Sequence, residues 1–183
     1  MATLKPLADN DEIAHYEEAL ARYLDLELDA ERFTALRLQQ GVYGQRQEGV
    51  NMVRIKLPGG RLDPARLAAI ADVAEKHVAQ QVAHITTRQD IQLHHVPLAE
   101  TGAVLRRLSE DDLTTREACG NTVRNITACP LAGVCPREHT DVTKHLDGAV
   151  AHFLRNPLNQ QLPRKVKISF SGCEADCAQG LIH

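Results

Sequence analysis

The chain has no tryptophan, and aromatic residues make up only 3% of its 183 residues. Surfaces that bind single-stranded nucleic acid stack the bases on aromatic side chains, so this composition argues against such a surface. Positive charge is not in excess either, because the formal net charge is -3. A chain with this balance has no bulk attraction for a phosphate backbone. We therefore expect no nucleic-acid partner.

Long apolar runs are also absent: no segment approaches the roughly 20 consecutive apolar residues that a membrane-spanning helix needs. The acidic N-terminus lacks the apolar stretch of a secretory signal. A hydrophobic content of 43% and a charged content of 25% are typical of a soluble globular protein. We therefore expect no membrane partner and a cytoplasmic location, where paired cysteines more often bind metal than form disulfides.

Cysteine is scarce, but four of the five cysteines form two close pairs, Cys129 with Cys135 and Cys173 with Cys177. Thiolates at such spacings converge when a soft centre, an iron–sulfur cluster or zinc, lies between them. Four-cysteine zinc sites favour shorter gaps than the one between Cys129 and Cys135, so we predict a [4Fe–4S] cluster. Zinc and buried free thiols stay as alternatives. Cys119 has no partner at ligand spacing and is expected to be a small buried residue.

Hydrophobic periodicity predicts an α+β fold. Helices are expected over residues 11–28, 29–38, 64–80, 101–108 and 142–154. Strands are expected over residues 50–57, 84–88 and 91–96, with strand-like segments in TVRNIT and PRKVKISFSG. Gly41 and Gly44 indicate a turn, and Leu67, Ile70, Ala71 and Ala74 are expected on the inner face of the third helix. The central strand–helix–strand–strand–helix order is close to a ferredoxin-like half-domain.

These elements divide the chain into three predicted parts. Residues 1–40 form an N-terminal helical extension, residues 41–115 the ferredoxin-like half-domain, and residues 116–183 a cysteine-bearing domain. A last helix is expected to begin near Glu174 and would be short, because the sequence ends nine residues later. We therefore expect the third domain to be incomplete.

Five basic residues lie in segments that otherwise resemble core strands: Arg54, Arg88, Arg124, Lys165 and Lys167. Charged side chains in apolar strands are costly unless they are paired with something anionic. One such residue alone is explained by a salt bridge or by an aliphatic stem that carries its charge to the surface. Five together favour a shared polyanionic ligand.

Five segments, in this order, resemble the sirohaem-containing nitrite and sulfite reductase family: MVRIKLPGG, HITTRQDIQ, GNTVRNITACPLAG, LPRKVKIS and SGCEADC. The resemblance covers the chain from about Gly41 to its C-terminus. In that family a ferredoxin-like half-domain is followed by a [4Fe–4S] and sirohaem domain, and the pair is usually repeated in one long chain. This chain resembles the N-terminal half, so the expected partner is a missing second half or a second copy of the chain.

The resemblance implies a role for each matching residue. The [4Fe–4S] cluster would be bound by Cys129, Cys135, Cys173 and Cys177, with Cys177 also bridging to the sirohaem iron. The substrate anion would lie among Arg54, Arg124, Lys165 and Lys167. The carboxylates of sirohaem would be held by Arg88, Thr86, Thr87, Gln89 and Asn121.

The activity that the resemblance implies is the six-electron reduction of sulfite to sulfide, or of nitrite to ammonia, with electrons from a ferredoxin or a flavoprotein. Lys167 favours sulfite, because nitrite reducers of the family often have asparagine there. The alternatives are a non-catalytic iron–sulfur relay or structural subunit, and a relative in cobalamin synthesis. Long family members take the cysteines and the basic pocket of one site from opposite halves, whereas this chain keeps both.

Overall fold

The computed structural model describes residues 6–181 of the chain. Its α-helices are α1 (Asn10–Leu24), α2 (Ala30–Gln39), α3 (Pro64–His77), α4 (Thr101–Ser109) and α5 (Thr143–Phe153). Its strands are β1 (Val42–Gly44), β2 (Val50–Ile55), β3 (Ala83–Ile85), β4 (Ile91–Pro97), β5 (Thr127–Ala128) and β6 (Ser169–Phe170). The predicted α+β class is confirmed.

Helices α1 and α2 begin at aspartates that accept hydrogen bonds from backbone N–H groups of the first helical turn. Asp9 accepts from Asp11 and Glu12, and Asp29 caps α2 as the sequence predicts. Helix α1 ends at Leu24, before the predicted residue 28, because Leu26 adopts a left-handed conformation with φ of 62°.

The central sheet is antiparallel and has the strand order β1-β2-β4-β3. Strand β1 was not predicted, because Gly41 and Gly44 indicated only a turn. Gly41 has φ of 70°, and a Cβ there would lie 2.3 Å from the Thr115 carbonyl oxygen. Only glycine allows this strand to begin so close to the Thr115 backbone.

The first core lies between the sheet and the helices α1 to α4. On α3 the buried residues are Ala69, Ile70, Val73 and Ala74. The predicted inner face was therefore wrong for Leu67, which is 54% exposed, and for Ala71. Both sets recur at three- and four-residue spacing, so the sequence pattern alone fits either rotation of the helix.

The second core packs α5 against the parallel pair β5–β6 and includes Val123, Ile126, Val142 and Leu146. The two predicted strand-like segments are short here, although a parallel bridge between Val123 and Val166 extends their pairing. The helix predicted near Glu174 is wrong: the described residues from 174 onward form turns. Asp176 holds these turns by accepting hydrogen bonds from the backbone N–H groups of Gly180 and Leu181.

None of the helices within residues 6–181 is long and apolar enough to cross a membrane.

Candidate functional site

The two cysteine pairs meet at the carboxyl end of the parallel pair β5–β6. Cys129 directly follows β5, and its backbone N–H donates to the Phe170 carbonyl of β6 at 3.0 Å. The loop after Cys135 is held to the loop before Cys173 by a 2.8 Å bond from His139 N–H to the Gly172 carbonyl. Parallel strands end at the same edge, so this short ladder brings together loops that lie about forty residues apart.

The five cysteines are free thiols, and Cys129 and Cys135 are buried while Cys173 and Cys177 are half-buried. Burial raises the pKa of Cys129, and the neighbouring thiols of Cys177 and Cys135 raise it further. Within residues 6–181 no three His, Cys, Asp or Glu side chains are arranged to hold a single metal ion. Soft thiols on two facing loops nevertheless form the donor set that an iron–sulfur cluster requires.

Gly172 lies where the two cysteine loops meet. Its φ is not positive, so no left-handed turn requires a glycine at this position. Instead, a Cβ at Gly172 would lie 2.6 Å from the Thr140 carbonyl oxygen. The absent side chain therefore allows the two cysteine loops to approach each other.

A cavity of about 610 Å³ brings the five predicted basic residues together. It is lined by Arg54, Thr86, Thr87, Arg88, Gln92, Arg124, Lys165, Lys167 and Gln179. None of these lining residues from the described part of the chain is acidic. Gln179 lies two residues after Cys177, so the basic cavity adjoins the cysteine loops within this one chain.

The charges in this cavity are crowded. Burial lowers the pKa of Arg88 from its ordinary value; the nearby Asp90 opposes this shift, and Arg124 and Arg54 add to it. Burial likewise lowers the pKa of Arg124, with Arg54 acting in the same direction. Positive charges that destabilise one another are relieved by a bound anion.

Two of these arginines share one backbone acceptor. Arg54 donates from Nη1 to the Ala118 carbonyl at 3.3 Å, and Arg124 donates from Nη1 to the same oxygen at 2.9 Å. Arg124 also donates from Nε to the Gly120 carbonyl at 2.8 Å. A single turn, residues 116–120, therefore orients both guanidinium groups.

Arg88 carries unused hydrogen-bond donors. Its Nη2 donates to the Asn125 carbonyl, while its Nε and Nη1 are buried without a partner. Buried guanidinium N–H groups are costly to leave unpaired, and their fork geometry matches a carboxylate. The chain thus presents donors at the position where the resemblance places a sirohaem carboxylate.

Two residues predicted to bind the cofactor do not line the cavity. The Gln89 amide donates to the Ala128 carbonyl at 2.7 Å and accepts from the Ala128 N–H at 3.1 Å, so both of its ends are engaged by backbone. Asn121 is exposed and outside the lining set. Cys119 is buried, with 3% of its surface exposed, as the sequence predicts.

Two lining residues, Gln92 and Gln179, were missed by the sequence argument. Gln92 lies on β4 directly opposite Arg54 on β2, and in the orientation that satisfies its neighbours its carbonyl accepts from Arg54 Nε at 2.8 Å. Cross-strand pairing with Arg54 would have identified it once the register was known. Gln179 lies two residues after Cys177, a predicted cluster ligand, and this proximity could have identified it from the sequence.

Comparison with known families finds two matches along the chain. Residues 43–111 match the nitrite/sulfite reductase ferredoxin-like half domain, and residues 119–183 match the nitrite and sulphite reductase 4Fe-4S domain. The residues between the two matches, 112–118, include Glu117 and the first part of the turn of residues 116–120, which orients Arg54 and Arg124.

Curated proteins that are similar to this chain include nitrite reductases and sulfite reductases. The assimilatory ferredoxin-dependent nitrite reductase of Haloferax mediterranei is 35% identical over 154 residues, covering 78% of this chain and 26% of its own length. The sulfite reductase [ferredoxin] of Mycobacterium tuberculosis is 30% identical over 151 residues, covering 73% of this chain and 27% of its own length. This chain thus spans about a quarter of the curated relatives that it matches.

Two solved structures share the fold. The Mycobacterium tuberculosis NirA protein superposes with a TM-score of 0.73 at 27% identity, over 92% of this chain and 36% of that one. Dissimilatory sulfite reductase I superposes with a TM-score of 0.60 at 16% identity, which is a likeness of fold alone.

Proposed function

Because the chain belongs to the nitrite and sulfite reductase family, we propose that it takes part in the six-electron reduction of sulfite to sulfide, or of nitrite to ammonia. The observation that carries this proposal is the cavity beside the cysteine loops, in which five cationic side chains face one space. Sulfite and nitrite are small oxyanions, and such a cavity raises the local concentration of anions.

We assign the cofactors to two sets of residues. Cys129, Cys135, Cys173 and Cys177 would hold a [4Fe–4S] cluster, and Arg88 with Thr86 and Thr87 would hold the carboxylates of sirohaem. When bound, these groups supply electrons and an open iron position for the substrate. The fit rests on the facing thiol loops and on the unpaired buried Nε and Nη1 atoms of Arg88.

The remaining cations act on the substrate. Arg54 and Arg124 carry guanidinium groups that hydrogen bonds to the backbone orient, so they would neutralise the anion without reorganising. Lys165 and Lys167 are exposed on extended chain at the cavity, so each Nζ can approach a substrate oxygen. The oxygen takes two protons and two electrons to leave as water: a lysine Nζ would donate one proton, solvent would donate the other, and the bound cofactors would supply the electrons.

The proposal includes a substrate preference and partners. Lys167 favours sulfite over nitrite, on the family resemblance stated above. The names of several relatives include ferredoxin, which supports a ferredoxin as the electron donor, with a flavoprotein as the alternative. Free thiols at a cluster site suit the reducing cytoplasm. A second half of the protein, or a second copy of this chain, would complete the active site.

The proposal is tested by replacing two substrate-facing cations in the full-length protein, Arg124→Ala together with Lys165→Ala. We expect cofactor content to stay within about twofold, measured by visible absorption, iron and labile sulfide, because these residues are not cofactor ligands. Turnover of sulfite and nitrite is expected to fall by about 100-fold or more, since preorganised donors to developing charge contribute at that level.

The matched control is Arg32→Ala, which removes an exposed arginine of α2 whose salt bridge is with the exposed Asp29, the N-cap of that helix. We expect this control to retain full turnover. Unchanged turnover of both anions in the double variant would contradict the roles proposed for Arg124 and Lys165.

A further inference from the structure

Glu117 is a carboxylate that the fold buries completely, with 0% of its surface exposed. It lies in the turn of residues 116–120 and has a positive φ of 58°. A non-glycine residue in this conformation is strained and persists only where its surroundings hold it. No role for Glu117 follows from the cysteine or basic motifs.

The Glu117 carboxylate is held by groups from two other segments, the residue after β2 and the loop after α5. Its Oε1 accepts from the Arg155 backbone N–H at 2.9 Å and from Gln160 Nε2 at 2.7 Å. Its Oε2 lies 3.6 Å from Nζ of Lys56, which follows β2. Burial lowers the pKa of Lys56, and the adjacent Glu117 opposes that shift. The carboxylate thus joins the half-domain to the loop after α5.

The backbone of the same turn is what orients the cavity arginines. The Ala118 carbonyl, next to Glu117, accepts from both Arg54 and Arg124. The Glu117 N–H donates to the Gln39 carbonyl at 2.8 Å, and its carbonyl accepts from Thr122 Oγ1 at 3.2 Å. Two like charges converge on one oxygen, so the direction of that carbonyl decides where the remaining guanidinium N–H groups point.

We propose that Glu117 is a positioning residue for the Arg54–Arg124 pair, acting through the turn of residues 116–120, and that it sets the anion affinity of the cavity. The link to sulfite rests on the proposed function, while the link from the carboxylate to the arginines rests on geometry alone. Buried hydrogen-bond networks of this kind fix a single arrangement when every member is satisfied.

The test compares Lys56→Met with Lys56→Met/Glu117→Ala in the full-length protein. Both variants lack the lysine, so their difference isolates the carboxylate and avoids an unpaired buried cation. The first readout is hydrogen exchange of the Arg124 Nε–H by NMR with labelled arginine. We expect exchange at least 10-fold faster in the double variant, because the Gly120 and Ala118 carbonyls no longer hold the side chain.

The second readout is equilibrium binding of sulfite without an electron donor, where we expect the double variant to bind at least 10-fold more weakly. Tyr16→Phe is the control for general destabilisation, because it removes a buried 2.7 Å hydrogen bond between Tyr16, a residue of the first core, and Thr101. Equal Arg124 exchange in Lys56→Met and the double variant overturns the positioning role. If Arg124 exchanges faster in the double variant but the wild-type protein does not bind sulfite, the positioning role is supported and the proposed function is contradicted.

Discussion

The pKa of the buried Asp90 side chain depends on the residues that the fold places around it. Its side chain is buried, and one of its carboxylate oxygens has no hydrogen-bond partner. Burial raises the pKa of Asp90 to about 6, although Arg54, Lys56 and Arg88 oppose the shift. An unperturbed aspartate titrates near 3.9, so the folded state binds this proton more tightly than the unfolded state does.

This shift fixes the sign of a pH dependence. Stability contributed by the Asp90 proton is fully present below about pH 4 and is lost as pH rises through about 6. We expect Asp90→Asn to raise the free energy of unfolding at about pH 7.5 by up to roughly 3 kcal/mol and to leave it nearly unchanged at about pH 4. Calorimetry of wild type and variant at both pH values measures this, and an equal gain at both would contradict it.

At the level of secondary-structure elements, the short parallel pair β5–β6 positions the two cysteine loops. Its two residue pairs place Cys129 beside the loop that carries Cys173. The sequence predicts a strand-like segment at each of them, but only two residues of each segment form a strand, and both strands are stabilised by the packing of α5 behind them. The cysteine loops therefore depend on contacts between segments that are distant in sequence.

Gly172 gives an element-scale prediction. In Gly172→Ala the new Cβ would meet the Thr140 carbonyl, so the two cysteine loops must separate. We expect iron and labile sulfide in the purified full-length protein to fall at least threefold relative to the wild type. The matched control is Gly148→Ala on α5, where a Cβ has no atom within 4 Å.

The control Gly148→Ala is expected to raise the stability of the protein slightly. Alanine within a helix is favoured over glycine by roughly 0.5–1 kcal/mol, so Gly148→Ala should melt slightly higher and keep its cluster. Normal iron and sulfide content in Gly172→Ala would show that the close approach at Thr140 is dispensable.

At the scale of the whole molecule, a few backbone and amide contacts join the half-domain to the cysteine-bearing domain. Gln89 bonds both backbone groups of Ala128, and Gly59 N–H donates to the Ile126 carbonyl at 2.9 Å. Asn125 Nδ2 donates to the Leu57 carbonyl at 2.7 Å. These contacts hold the basic residues of the sheet against the cysteine loops.

Gln89→Leu tests this junction. The substitution leaves the N–H and carbonyl of Ala128 without their partner, so we expect the free energy of unfolding to fall by about 1–3 kcal/mol per orphaned group. Urea unfolding followed by circular dichroism measures the change. Gln81→Leu is the control, because the exposed Gln81 side chain makes one hydrogen bond within the described residues, from Nε2 to the Glu75 carbonyl at 3.3 Å. If the two variants lose equal stability, Gln89 does not join the domains in this way.

Local sequence patterns were enough to predict the α+β class, the helix starts at Asp29 and Pro64, and the basic and cysteine residues that we assign to the proposed site. These follow from local chemistry: capping, periodicity and the cost of charge in apolar strands. Only long-range packing shows which face of α3 is buried, that the described residues from 174 onward form turns, and that Gln89 bonds to the backbone of Ala128 instead of lining the cavity. The same packing brings the Glu117 carboxylate into contact with Lys56, Arg155 and Gln160. Such features depend on long-range contacts, which no local pattern encodes.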